Sequence, residues 1–242
     1  ALNKMKNGCI LMGGVGSGKS ITSIGYYYIR NGGNPKSLAG GSYKKLKNPK
    51  DLYIITTAQK RDTLEWVGEL TPFLMHPNPD INIYNNKIVI DSWNNIKKYQ
   101  DVKNSFFIFD EQRVCGSGTW VKAFLKIAKS NEWILLSATP GDTWSDYIPV
   151  FVANGFYKNK TEFSREHIVY SRFAKFPMID KYIGTGKLLR LRNELLIPMD
   201  FNRSTTRINH DIYVQYNSTD YRKIMKDRWD IINDPPIDPA SY

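Results

Sequence analysis

The chain has 242 residues, 41% of them hydrophobic, enough for one large domain with a real core or two small ones. Its 34 Lys and Arg against 23 Asp and Glu give a net charge of +11, which favours anionic partners, nucleic acid first among them. Two cysteines, Cys9 and Cys115, make no disulfide framework and fit a reducing, cytoplasmic location; no stretch approaches the ~18 apolar residues of a membrane span, and "CILM" is too short for a secretory core.

Taken in chain order, "GCILMGG" (Gly8 to Gly14) reads as a short buried strand entering a glycine turn. "KSITSIGYYYIR" reads as the helix that follows, ended by Asn31, Gly32 and Gly33. Residues 34 to 50 form a loop with Lys36, Lys44, Lys45, Lys47 and Lys50 and no acid, either a contact to nucleic acid or a solvated insertion. "DLYIITT" (Asp51 to Thr57) is the next strand, and "AQKRDTLEWVGELTPFL" the next helix, with Leu64, Val67 and Leu70 on one face. A strand or hairpin is expected around Ile81 to Ile90, then a short helix over "WNNIKKY", in which Trp93 reads as a core residue. "SFFIFDE" (Ser105 to Glu111) is almost continuously apolar, as a strand covered on both faces should be. "TWVKAFLKIAK" is a helix with Val121, Phe124, Leu125 and Ala128 inward, and "EWILLSATP" (Glu132 to Pro140) another buried strand.

Strands and helices of these lengths alternate up to Pro140, which predicts an α/β fold with a mostly parallel central sheet flanked by helices. Ligands of such sheets bind beyond the carboxyl ends of the strands. Gly13 to Ser20, Asp110 with Glu111, and Ser137 to Thr139 all fall at such ends. Beyond Pro140, "TWSDYIPVFVANGF" and "KTEFSREHIVYSRF" look helical, "GTGKLLRLRNELLIP" reads as a basic helix, and "RINHDIYVQY" as a strand. "STDYRKIMKDRWDII" starts like a helix capped by Ser218 or Thr219, and "NDPPIDPASY" reads as linker. His76, His167 and His210 are scattered and read as surface or packing residues.

The chemistry concentrates in three motifs. Gly13, Gly18, Lys19 and Ser20 meet the spacing Gly-x-x-x-x-Gly-Lys-Ser. A triphosphate needs several backbone N–H groups converging on its oxygens, which the loop Gly13, Gly14, Val15, Gly16, Ser17, Gly18 and the following helix terminus can supply. Lys19 is expected to reach the β and γ phosphates and Ser20 to place its hydroxyl on Mg²⁺. Asp110 suits Mg²⁺, mostly through its water shell, and Glu111 suits orienting and deprotonating an attacking water. Ser137 and Thr139 of "SATP" are expected to couple that chemistry to motion.

"GGVGSGKS", "DEQR" and "SATP", in this order and separation, resemble the first ATPase lobe of superfamily 2 helicases and translocases, and within it the Snf2-like branch with its bacteriophage helicase-like proteins. The resemblance covers residues 9 to 140 and implies a RecA-like fold, ATP and Mg²⁺ as cofactors, and movement on DNA, duplex or single-stranded, in the cytoplasm (a host's, for a phage-encoded chain). It also implies backbone contacts by Thr57, Gln59, Lys60 and Arg61, and a second segment with Ser92 and Asn94. Little chain precedes Gly13, so Asn3 to Lys6 are the expected remnant of the adenine-reading element. Residues 1 to 200 are then the ATP-binding lobe, and 201 to 242 an inter-lobe linker or the start of a second RecA-like lobe, which the same longer chain or a separate partner supplies. Two other readings stay open on the residues alone. One is a nucleotide hydrolase or kinase not coupled to nucleic acid; the other is a nucleotide-binding regulatory lobe without turnover.

Overall fold

The computed structural model of the chain describes residues 1–34, 46–110, 114–199, 212–213 and 215–227. It divides into two units, Ala1–Phe201 and Asn202–Tyr242. The first unit begins with β1 (Ile10–Met12), α1 (Lys19–Arg30), β2 (Leu52–Thr56), α2 (Ala58–Asp62), α3 (Glu65–Leu70) and β3 (Ile88–Ser92). A 3₁₀ turn (Trp93–Tyr99), β4 (Phe106–Asp110), α4 (Thr119–Ala128) and β5 (Glu132–Ser137) follow. A second 3₁₀ turn (Trp144–Tyr147) leads to α5 (Ile148–Ala153), α6 (Lys160–His167), β6 (Ile168–Tyr170), β7 (Ile179–Tyr182), α7 (Thr185–Leu195) and β8 (Leu196–Pro198). The second unit contributes α8 (Ser218–Asp227), where Asn217, rather than Ser218 or Thr219, accepts the Thr219 N–H at 3.0 Å.

Six strands form one sheet in the order β3-β2-β4-β5-β1-β8, and every neighbouring pair is parallel. Parallel pairing needs crossovers that cover both faces, so the central strands β2, β4 and β5 are almost continuously apolar. Successive residues separate cleanly between the faces. Ile10, Tyr53, Ile55, Phe107, Phe109, Trp133 and Leu135 pack with Phe124, Phe151, Phe163 and Leu188. Leu11, Leu52, Ile54, Phe106, Ile108, Ile134 and Leu136 pack with Ile24, Tyr27, Trp66 and Leu70. Because all six strands run the same way, all six carboxyl ends share one edge. Strand β5 lies between β1 and β4. Among the described residues no helix is long and apolar enough to cross a membrane.

Four expected elements differ. The helix expected from Ala58 onward breaks after Asp62: Leu64 takes φ 57, a left-handed conformation, and a new helix starts at Glu65. The break rotates Trp66 into the core in place of Leu64, which stays exposed. The strand or hairpin expected around Ile81 to Ile90 forms as a strand only from Ile88; before it Asn82 Nδ2 donates to Asn86 O at 2.7 Å and ties the asparagine run into a turn. The segments expected to be helical around Ile168 and Leu196 turn into strands at those residues, and β8 joins the main sheet beside β1. The expected strand "RINHDIYVQY" falls mostly outside the described residues, as do Glu111 and most of the lysine loop.

Candidate functional site

β1 delivers the glycine loop at a height fixed by both neighbours. Met12 pairs with Ser137 and with Pro198. Gly13 N–H donates to Ser137 O at 3.2 Å, and Met199 N–H donates to Met12 O at 2.8 Å. A Cβ on Gly13 would lie 2.5 Å from Ser17 Oγ and 2.9 Å from Met199 Cβ, so the loop closes here only on a glycine. Gly16 and Gly18 take φ 77 and 79, the left-handed region, as the loop turns into α1.

Gly18 is the N-cap of α1 and supplies no side-chain cap; the first turn carries no acid. The first-turn N–H groups of a helix lack intrahelical partners, and its dipole is positive there. Gly14, Val15 and Gly16 are exposed, and Ser20 is partly buried. Ser17 Oγ is buried with no hydrogen-bond partner among the described residues. Lys19 Nζ lies over the loop, donating to the carbonyls of Gly13 at 2.7 Å and Gly14 at 2.8 Å. A cation, oriented N–H groups and an orphaned hydroxyl in one loop fit a polyphosphate anion. Gly13→Ala is therefore expected to cost about 1–3 kcal/mol through overpacking and to weaken nucleotide binding; urea denaturation and titration with a fluorescent nucleotide analogue check the two effects.

Asp110 ends β4 and is 1% exposed. A buried carboxylate needs partners. Thr56 Oγ1, from the end of neighbouring β2, donates to Asp110 Oδ2 at 2.8 Å, and Lys60 Nζ approaches the same oxygen at 3.1 Å. Trp93 Nε1 donates to the Asp110 carbonyl at 2.9 Å, so Trp93 is a core residue that also pins the strand end. Burial pushes the Glu69 carboxyl up; Lys60 opposes the rise and Asp110 adds to it, which puts Glu69 in the field of this ion pair.

At the end of β5, Ser137 is buried and its Oγ accepts the Thr139 N–H at 3.1 Å, while Thr139 is exposed. Ser137 thus bonds the glycine loop through its carbonyl and Thr139 through its hydroxyl.

The basic segment after β2 divides into inward and outward residues. Thr57 caps α2 by accepting the Lys60 N–H at 3.3 Å. Arg61 holds Asp62 at 2.7 and 3.1 Å, and its other nitrogen reaches Asp91 and Ser92 Oγ at 3.4 Å. Ser92 is buried. Burial works to raise the Asp91 carboxyl, but bonds from Asn95, Tyr99, the Ser92 N–H and Arg61 outweigh it and hold it below the usual carboxylate range. Gln59 and Asn94 are exposed.

The sheet therefore brings together the glycine loop, Ser137 and Thr139, and separately joins Asp110 to Lys60. Sequence reading missed Thr56, the Trp93 indole and Met199 as members of this edge. Their one signal was position: Thr56 and Met199 immediately follow or end apolar runs, but neither run declares its neighbour.

No family model matches the chain, and no curated protein does. Among solved structures its fold is similar to the Swi2/Snf2 ATPase core of Sulfolobus solfataricus in complex with double-stranded DNA, at 14% identity and a TM-score of 0.56, over 81% of this chain and 41% of that one. The Hef helicase domain of Pyrococcus furiosus is matched at 16% identity and a TM-score of 0.42, over 69% of this chain and 38% of that one. The chain thus spans less than half the length of either structure. The parallel sheet with helices on both faces is consistent with a RecA-like α/β fold, and that fold is what the chain shares with the Swi2/Snf2 core.

Proposed function

We infer that the chain is the first RecA-like lobe of an ATP-dependent DNA translocase or helicase of the Snf2-like kind, coupling Mg-ATP hydrolysis to movement on DNA. One observation carries this reading: a single sheet edge gathers the glycine loop, Asp110 and the Ser137–Thr139 segment, with Ser137 bonded to both the loop and Thr139.

In this reading the N–H groups from Gly14 to Ser20 cradle the phosphates, and Lys19 exchanges the carbonyls of Gly13 and Gly14 for phosphate oxygens. Ser20 and Asp110 would hold Mg²⁺, a hard cation usually bound by one or two protein oxygens, phosphate and water. The chemistry such an ion would supply is positive charge beside the phosphate oxygens. Lys60 is the internal counter-ion that keeps the buried Asp110 carboxylate charged, and a cation held there would share that carboxylate with it. Glu111, directly after Asp110, acts as the base that takes the proton of the attacking water. Ser137 reports the state of the loop to Thr139 and the segment beyond it.

Thr57, Gln59, Lys60 and Arg61, with Ser92 and Asn94, form the backbone-binding ledge, and Gln59 and Asn94 are its open members. Residues 201 to 242 are an inter-lobe linker or the start of a second RecA-like lobe, and such a lobe would complete the ATP site. The ledge has a direct test. Gln59→Glu with Asn94→Asp places two negative charges where phosphates would lie. The ratio of DNA-stimulated to basal ATP turnover is expected to fall several-fold in this variant, most steeply at low salt. An unchanged ratio at every salt concentration would remove these residues from the DNA track.

A further inference from the structure

Strands β6 and β7 form an antiparallel hairpin outside the main sheet, pairing Ile168 with Tyr182, Val169 with Lys181 and Tyr170 with Ile179. An isolated two-stranded ribbon is marginal in water, and this one is anchored at its base. Ile183 N–H donates to His167 O at 2.9 Å. The His167 ring is buried between the Tyr157 hydroxyl at 2.7 Å and Ile183 O at 2.9 Å. The Tyr182 hydroxyl meets Ser145 Oγ at 2.7 Å, and Ser145 lies in the 3₁₀ turn that follows Thr139 and Pro140. The tip is closed by Ser171 N–H on Met178 O at 2.8 Å.

The tip carries side chains that a soluble surface seldom shows. Phe173 is 99% exposed, Phe176 75% and Met178 58%. Arg172 and Lys175 sit beside the two rings, no acid occurs from Ser171 to Ile179, and neither cation is in an ion pair among the described residues. Contiguous exposed apolar groups mark a contact surface. Rings alternating with unneutralised cations on a chain of net charge +11 select a polyanion with π faces over an apolar or basic protein partner. The bases of a duplex are stacked on each other and closed to such rings; those of a single strand are open.

We propose that the β6–β7 tip binds single-stranded polynucleotide, with Phe173 and Phe176 stacking on bases and Arg172 and Lys175 contacting phosphates. This rests on the reading of the chain as a nucleic-acid motor lobe and adds the strand form that it grips. The Tyr182–Ser145 bond makes the hairpin base continuous with the segment leaving Thr139, so a strand held at the tip is mechanically joined to the proposed ATP edge.

The test is fluorescence anisotropy of the full chain, without nucleotide, on labelled oligo-dT, oligo-U and a DNA duplex. Phe173→Ala with Phe176→Ala is expected to weaken oligo-dT binding about tenfold or more, from the loss of two base stacks, and to leave duplex binding within about twofold, the ordinary scatter for an uncontacted site. Both side chains are solvent-exposed, so the thermal melt should match the parent. An equal loss on oligo-U extends the site to RNA; a loss on oligo-dT alone confines it to DNA. Arg172→Ala with Lys175→Ala should reduce the salt slope on oligo-dT by about 1.4, the value for two phosphate contacts on a single strand. If the parent binds polynucleotide and the phenylalanine pair binds oligo-dT equally well, or loses duplex binding to the same degree, the hairpin proposal is overturned while the motor reading stands. A parent that binds none of the three polymers overturns both.

Discussion

Lys19→Ala is expected to lower ATP turnover by roughly 10²–10³-fold, the scale for removing one preorganised charge-stabilising donor, and to weaken nucleotide binding alongside it. The ammonium lies over the loop on the Gly13 and Gly14 carbonyls, already inside the concavity where phosphate oxygens would converge. Its removal leaves the first-turn N–H groups of α1 and the buried Ser17 hydroxyl without the one full positive charge of the loop. Lys19 is only partly buried, so the fold should be retained. Phosphate release, a fluorescent nucleotide titration and a thermal melt read the three quantities on one preparation. Parent-like turnover in this variant would move the reaction elsewhere in the chain.

The second large effect is on stability. Phe109→Ala is expected to cost about 3–5 kcal/mol, the range for deleting a buried phenylalanine. Phe109 is fully buried, with ring centroids of Trp93, Phe124 and Phe107 at 5.5, 5.1 and 5.7 Å and that of Trp133 at 6.4 Å. No neighbour can swing in to fill the space without breaking a second aromatic contact. Phe109 also precedes Asp110, whose carbonyl is held by Trp93. Loss of the ring therefore loosens the strand end as well as the core, and nucleotide affinity should fall with stability. Urea denaturation checks the first effect; a loss below about 1 kcal/mol would mean that the site collapses on itself more freely than a packed aromatic cluster allows.

Much of this was legible in the sequence because the central strands are apolar on both faces and short. "CILM", "LYIIT", "FFIFD" and "EWILLS" declare themselves as buried strands, and the last residue of each lies at the candidate edge. The glycine loop was legible for the same local reason: its residue types follow from the backbone path that a phosphate cradle needs. Sheet order was not. That Thr56 donates to Asp110, or that Met199 closes against Gly13, depends on which strands lie side by side, and no local signal encodes it. The pairing of the basic segment was not legible for the same reason. Lys60 and Arg61 read as a cationic surface, yet three-dimensional neighbours Asp110 and Asp91 draw both inward, leaving uncharged Gln59 and Asn94 as the open positions. The helix break at Leu64 has no glycine or proline to announce it; burying Trp66 decides it.

The most direct measurement is steady-state ATP hydrolysis by the parent chain, alone and with single-stranded DNA, duplex DNA and RNA, beside Lys19→Ala. A nucleic-acid motor lobe predicts Lys19-dependent turnover that rises with DNA. Lys19-dependent turnover indifferent to every polymer would contradict the account and make the chain a nucleotide hydrolase uncoupled from nucleic acid.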